Sequence, residues 1–163
     1  MMSKPVLISD PQDPRLAPYT SIRERDLTHG HNGRFIVEGK ITLQVLLSRS
    51  TFQLESVFLS ESRVAVLAEE LAILPSSVPV YTTDQALMNT VAGFPIHRGI
   101  LACAKKGAGR PLDTLLSANT LLVLNEISNH DNVGAAFRNA AACNADGVLL
   151  DKRSCDPLYR KAI

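Results

Sequence analysis

Short apolar runs and amphipathic stretches alternate along most of this chain, and their order predicts the elements. Phe35-Ile36-Val37 is a compact apolar run of strand type. Gly39 follows it, and Ile41/Val45 with Leu43/Leu46/Leu47 then recur at helical spacing. Leu54 to Leu59 reads as a second strand centred on Val57-Phe58-Leu59. Val64, Leu67, Leu71 and Leu74 mark one face of a helix that Pro75 should end. Val78 to Tyr81 is a third strand, and Thr82 with Gln85 has capping-box spacing for a helix running to Ala92 and closing at Gly93. Gly99 to Ala104 is a fourth strand. Such alternation predicts a small layered α/β domain.

At either end of that stretch the pattern changes. Residues 1–20 contain four of the nine prolines, Pro5, Pro11, Pro14 and Pro18. That density forbids a long regular element, so an extended lead-in is expected. Residues 105–111, with Gly107, Gly109 and Pro111, break the alternation and are the best candidate linker, after which Leu112–Leu116 suggests a helical turn. A second pattern then begins. Leu121-Leu122-Val123-Leu124 reads as a buried strand, Asn129 to Asn132 as a polar turn, Val133 to Cys143 as an alanine-rich helix, and Gly147-Val148-Leu149-Leu150 as another strand. Tyr159 to Ile163 opens a further element. A βαβ unit of this kind starts a sheet without completing it, so the rest of its domain is expected to lie beyond Ile163.

Composition adds little to this picture and charge rather more. The chain has 163 residues, 45% hydrophobic and 20% charged, with no Trp, which suits a folded domain with an aliphatic core. Net charge is only +1. Its distribution is uneven: residues 21–49 carry five Lys/Arg against three Asp/Glu, residues 93–120 four against one, and residues 50–92 one against five. That split suits either a polyanion directed to one face or a merely solvated surface. Cys103, Cys143 and Cys155 are odd in number and have no CxxC spacing; Cys103 and Cys143, among apolar or small residues, read as core thiols, which suits a reducing compartment. No secretory start and no apolar run of about 20 residues is present, so a cytoplasmic location and no membrane partner are expected. His29-Gly30-His31 lacks neighbouring Cys or paired carboxylates, and no metal is expected.

The chemistry concentrates in the terminal unit. Asn132, with Asp131 competing, stands where an N-cap should be, ahead of amide groups able to receive an anion. Gly134 permits a close approach by backbone or ligand. Five alanines between Ala135 and Ala142 let the helix pack closely on a sheet. Val133 and Phe137 share its buried stripe, and Arg138 flanks it. A guanidinium there could hold a phosphate or polarise a hydroxyl, or it could pair at the surface with Glu126 or Asp131.

Residues 122–128 (LVLNEIS) followed by Asn132-Val133-Gly134-Ala135-Ala136-Phe137-Arg138-Asn139-Ala140-Ala141 resemble the first motif of the SpoU (TrmH-type) RNA 2′-O-ribose methyltransferases. Gly147–Leu150 and Cys155-Asp156-Pro157-Leu158-Tyr159 resemble the family's continuation. Phe35–Gly39 and His97–Ala102 resemble the two ends of its L30e-like substrate-binding domain. The resemblance implies an extended lead-in (1–20), a small L30e-like α/β/α RNA substrate-binding domain (21–106), a linker (107–119) and the N-terminal part of an α/β-knot (SPOUT) methyltransferase domain (120–163).

It implies that Arg138 is the catalytic arginine and that Asn132 supports the same site. It implies S-adenosyl-L-methionine as methyl donor, rRNA or tRNA as substrate, and a homodimer formed through the knot. Arg23, Arg25, Arg34, Lys40 and Arg98 are the candidate RNA contacts. The family often has Pro and Gly where this chain has His130 and Asp131. The second and third motifs, which build the knot and the donor pocket, are expected beyond Ile163, so the segment should be inactive alone. Two other readings stay open: a non-catalytic L30e-like RNA-binding module, and a dimerisation or scaffold domain.

Overall fold

The computed structural model describes residues 4–23, 33–109 and 111–163. The chain divides into two compact units, residues 1–107 and 108–163.

The first unit is built on a five-stranded mixed sheet. Its strands are β1 (Val6–Leu7), β2 (Arg34–Glu38), β3 (Leu54–Ser60), β4 (Val80–Thr83) and β5 (Ile100–Lys105), in the order β1-β4-β3-β5-β2. β1 and β3 run parallel to β4, while β5 is antiparallel to both β3 and β2. Helices α1 (Lys40–Arg49), α2 (Ala68–Ala72) and α3 (Gln85–Ala92) connect them. Strand alternation sorts the core into two faces. Ile36, Phe58, Leu101 and Cys103 pack with Met88, Val91 and Ala92 of α3. Val37, Ala102 and Val57 form a buried row in register on the other face. Leu43 and Leu46 of α1 and Leu67 and Leu71 are also buried, and Gln44 Nε2 links α1 to α2 by donating to Glu70 Oε1 (2.6 Å).

Three local expectations change. The lead-in is not simply extended: Pro14–Tyr19 forms a 3-10 turn, capped by the Asp13 carboxylate, which accepts from the Arg15 amide at 2.9 Å. The Arg15 guanidinium, hydrogen-bonded to Asp13, holds that carboxyl down at about 2. Prolines are compatible with such a turn at its start, where no amide donor is needed. Through it Leu16 and Tyr19 enter the core, and the Tyr19 hydroxyl meets Ser56 Oγ at 2.8 Å. The helix expected over Val64–Leu74 is instead two 3-10 turns, Glu61–Arg63 and Ala65–Leu67, followed by the five-residue α2. The β-branched Val64 and Val66 disfavour a continuous helix there. Lastly, Thr82 and Thr83 belong to β4, and Asp84 caps α3, its carboxylate accepting from the Leu87 amide at 2.7 Å. Asp is the stronger cap, and β-branched Thr suits a strand. The helix closes at Gly93 in the left-handed region (φ 82°), as the sequence predicts.

The second unit is a βαβ. β6 (Leu121–Leu124) and β7 (Gly147–Leu150) pair in parallel, and α4 (His130–Ala142) connects them. Asp146 Oδ2 accepts from the amides of Asn119 and Thr120, at 2.8 and 2.9 Å, and ties the start of β6 to the start of β7. Leu124, Val133, Ala140 and Ala162 are buried. A groove of about 510 Å³ runs along α4 and β7, lined by aliphatic side chains including Leu112 and Leu115, with Phe137 and Asp146. Among the described residues, no helix is long and apolar enough to cross a membrane.

Candidate active site

The carboxyl ends of parallel strands are where open α/β sheets place their ligands. At that end of β6 and β7, two loops are laced together. Glu126 adopts φ 56°, an uncommon conformation for a residue with a side chain. Its amide donates to Asp151 Oδ1 at 3.1 Å, and its carboxylate pairs with Arg153. The Ile127 amide donates to Ser154 Oγ at 3.0 Å, while the Ile127 carbonyl accepts from the Cys155 amide at 2.9 Å. Asp151 Oδ1 also accepts from the Ser154 hydroxyl (2.6 Å) and amide (2.9 Å). These bonds, the hydroxyl's foremost, hold the Asp151 carboxyl below its ordinary range. Sequence reading missed Asp151, Arg153 and Ser154. Their only local signal is an Asp-x-x-Ser pattern just after a strand, typical of a side-chain-stabilised turn.

The helix start also differs from expectation. Asn129, not Asn132 or Asp131, is the N-cap, and its Oδ1 accepts from the amides of Asp131 (2.8 Å) and Asn132 (3.2 Å). The Val133 amide bonds to the Asn129 carbonyl at 3.1 Å. The amides expected to receive an anion are therefore already used by Asn129. Asn132 sits exposed in the first turn. Six helical steps lead from it to Arg138, which sets the two about 120° apart around the axis and about 9 Å along it.

Arg138 lies in a different company. His130, Gly134 and Arg138 form a stripe at i, i+4 and i+8, and the turn Tyr159–Ala162 lies along it. The Tyr159 ring meets the His130 ring at 4.0 Å between centroids, tilted by 38°. Arg138 Nη1 donates to the Ala162 carbonyl at 3.3 Å. The alternative partner Glu126 is instead engaged by Arg153.

In the first unit, the predicted RNA contacts among the described residues do not form one patch. Arg34, at the start of β2, pairs with Glu55, which also lies 3.5 Å from Lys105 Nζ. A bulge in β3 between Leu54 and Ser56 carries Glu55, and its carboxyl is held below the ordinary range by Arg34. Lys40 lies at the opposite end of β2, where its Nζ is 3.2 Å from Glu70 and donates to the Val66 carbonyl at 3.0 Å. Arg98 is at that same end: a Cβ placed on Gly39 (φ 95°) would stand 2.9 Å from its Cδ and Nη1. Arg98 and Arg23 are exposed. Arg25, His29 and His31 lie outside the described residues. No group of three or more potential metal ligands occurs among the described residues.

No family model matches the chain. It is 34% identical over 161 residues to an "uncharacterized tRNA/rRNA methyltransferase" of Mycobacterium bovis, covering 96% of this chain and 54% of that protein. By sequence, then, the chain is similar to tRNA/rRNA methyltransferases. It spans about half the length of the curated relatives it matches. A further relative, the 23S rRNA (guanosine-2′-O-)-methyltransferase RlmB of Acinetobacter baylyi, is 29% identical over 96 residues, covering 53% of this chain and 39% of that one. The mixed α/β fold matches an rRNA methyltransferase from Sinorhizobium meliloti solved with AdoMet bound. That match has a TM-score of 0.69 and 16% identity, covering 96% of this chain and 58% of that one. The aliphatic groove beside α4, with Asp146 its one ionisable side chain, lacks the several polar partners a charged nucleoside of that kind needs. That groove does not fit AdoMet.

Proposed function

We propose that the full-length SpoU-type protein transfers a methyl group from S-adenosyl-L-methionine to a ribose 2′-hydroxyl of rRNA or tRNA, with Arg138 as its catalytic arginine. The first unit, as an L30e-like domain, holds the RNA, and the second carries the first catalytic motif. A 2′-hydroxyl is a weak nucleophile at neutral pH and must shed its proton as the new C–O bond forms. A fixed cation beside it lowers the cost of the developing negative charge. The observation carrying this reading is that Arg138 is tied to the Ala162 carbonyl rather than to a carboxylate. A backbone carbonyl orients a guanidinium without neutralising it, and leaves the other N–H donors of the fork available for a phosphate or ribose oxygen.

Exposed Arg98 and Arg23 would meet RNA phosphates, with Arg25 as a further candidate. Lys40 and Arg34, already paired with Glu70 and Glu55, would contribute less. Asn132 would act from a separate face of α4, contacting the substrate or its loop rather than Arg138. The donor pocket and a dimer interface through a knot would come from parts of the family's domain that this segment does not contain.

The test is labelled-methyl transfer to bulk rRNA and tRNA by the full-length polypeptide and its Arg138→Ala variant. A loss of about 100-fold or more is expected when a transition-state cation is removed; retained activity overturns the role of Arg138. The second reading, a non-catalytic RNA-binding module, draws support from the closed core of the first unit. RNA binding with no methyl transfer by the unaltered full-length polypeptide would favour it.

A further inference from the structure

The contact between α4 and the terminal turn extends the role proposed for Arg138, and it rests on that reading. Gly134 is buried at the middle of the His130–Gly134–Arg138 stripe. A methyl group built there would collide with the Ala162 carbonyl oxygen. It would also stand 3.0 Å from both the Ala162 carbonyl carbon and Arg138 Nη1. A helix interior is normally weakened by having Gly in place of Ala. In return, the missing side chain lets another strand of backbone lie directly on the helix. The same space admits the Ala162 carbonyl and the guanidinium that donates to it. The turn that delivers this carbonyl is itself fixed at both ends. The Ala162 amide donates to the Tyr159 carbonyl at 2.8 Å, and Tyr159 packs on His130 one helical turn below Gly134.

We propose that Gly134 and the Tyr159–Ala162 turn form the seat that holds the Arg138 guanidinium in its working orientation, making Gly134 a positioning residue. The glycine serves the arginine through the carbonyl it admits. Arg138 carries four rotatable side-chain bonds, and exposed on a helix it would sample many rotamers. One backbone acceptor fixes Nη1 and thereby the plane of the whole fork.

The experiment compares Gly134→Ala, Tyr159→Ala and Arg138→Ala in the full-length polypeptide. Gly134→Ala should lower kcat by about 100-fold, the scale of a misplaced catalytic group, with KM for RNA unchanged. Tyr159→Ala, which leaves the helix backbone alone, should give a smaller fall in kcat of the same kind. Added guanidinium ion should restore part of the activity of Arg138→Ala, because the Ala162 carbonyl still offers the seat. It should fail to rescue Arg138→Ala/Gly134→Ala, in which the added methyl fills that seat. Nitrogen-15 NMR of the arginine side chains supplies a readout independent of turnover: rotation of the Arg138 guanidinium should quicken in Gly134→Ala and Tyr159→Ala. An active Arg138→Ala enzyme would remove the reading on which this rests. An inactive Arg138→Ala together with full kcat in Gly134→Ala would overturn the seat alone. So would unchanged kcat and guanidinium rotation in Tyr159→Ala, which decides the matter if Gly134→Ala does not fold.

Discussion

β3 and β6 are both short apolar strands in parallel pairings, yet Leu59 of β3 is wholly buried while Val123 of β6 is 65% exposed. The difference lies in what surrounds them. β3 is the middle strand of five, flanked by β4 and β5, with buried side chains on both faces. β6 belongs to a two-stranded sheet, and every residue of β7 is only half-buried. A two-stranded sheet gains stability chiefly from what it packs against, and here that is mainly α4. Apolar sequence alone thus specifies a strand but not its burial. The first unit is held by its core, and the second more by polar lacing at its loops.

The largest effect that would test this contrast is a pair of truncations. Leu59→Ala should destabilise the first unit by about 2–5 kcal/mol, and Val123→Ala should change the second by no more than about 0.5 kcal/mol, as measured by denaturant unfolding. Similar losses at both sites would erase the distinction. Next comes the cap. Asn129→Ala should cost about 1 kcal/mol and speed amide exchange at Asp131 and Asn132, whereas Asn132→Ala should leave those amides unchanged. The smallest effect separates two carboxylates. Glu55 and Asp151 are both held below the ordinary carboxylate range, so each contributes stability that is present above the unfolded value, about 4, and is lost as pH falls through the folded one. Glu55 is held by cations, whereas Asp151 is held first by the Ser154 hydroxyl and by backbone amides. High salt should therefore move the Glu55 titration toward its ordinary value and leave that of Asp151 in place. Carbon-detected NMR titration at low and high salt reads this directly, and equal salt shifts would defeat it.

These same contrasts explain what was legible in the sequence. Phe35–Val37, Val57–Leu59 and Ile100–Ala104 announce strands because continuous apolar runs bounded by turns leave few alternatives, and all three fall inside observed strands. The parallel βαβ was legible for the same reason. The cap of α4 was not, because Asn129 and Asn132 offer the same side chain three residues apart. The choice falls to Asn129, which takes the extended backbone a cap requires (φ −90°, ψ 120°). The lacing of Glu126 and Ile127 to Asp151 and Ser154 spans 25 and 27 residues. Polar pairs at such separation leave no periodic trace. Nor does a run of basic residues reveal that a β3 bulge will bring Glu55 to Arg34. Arg138 was legible as a candidate, but its seat was not, since Gly134 and Ala162 meet only through the fold.

The proline-rich start carries a practical consequence. Because β1 pairs with β4, and Leu16, Tyr19 and Ile22 fill the core beneath α3, residues 4–23 serve as a wall of the first unit. Trimming them to obtain a shorter fragment of the first unit would strip β4 of its β1 neighbour and expose a hydrogen-bonding margin to other molecules. Such a fragment would be prone to self-association in the test tube, and its aggregation would say nothing about how the intact protein behaves.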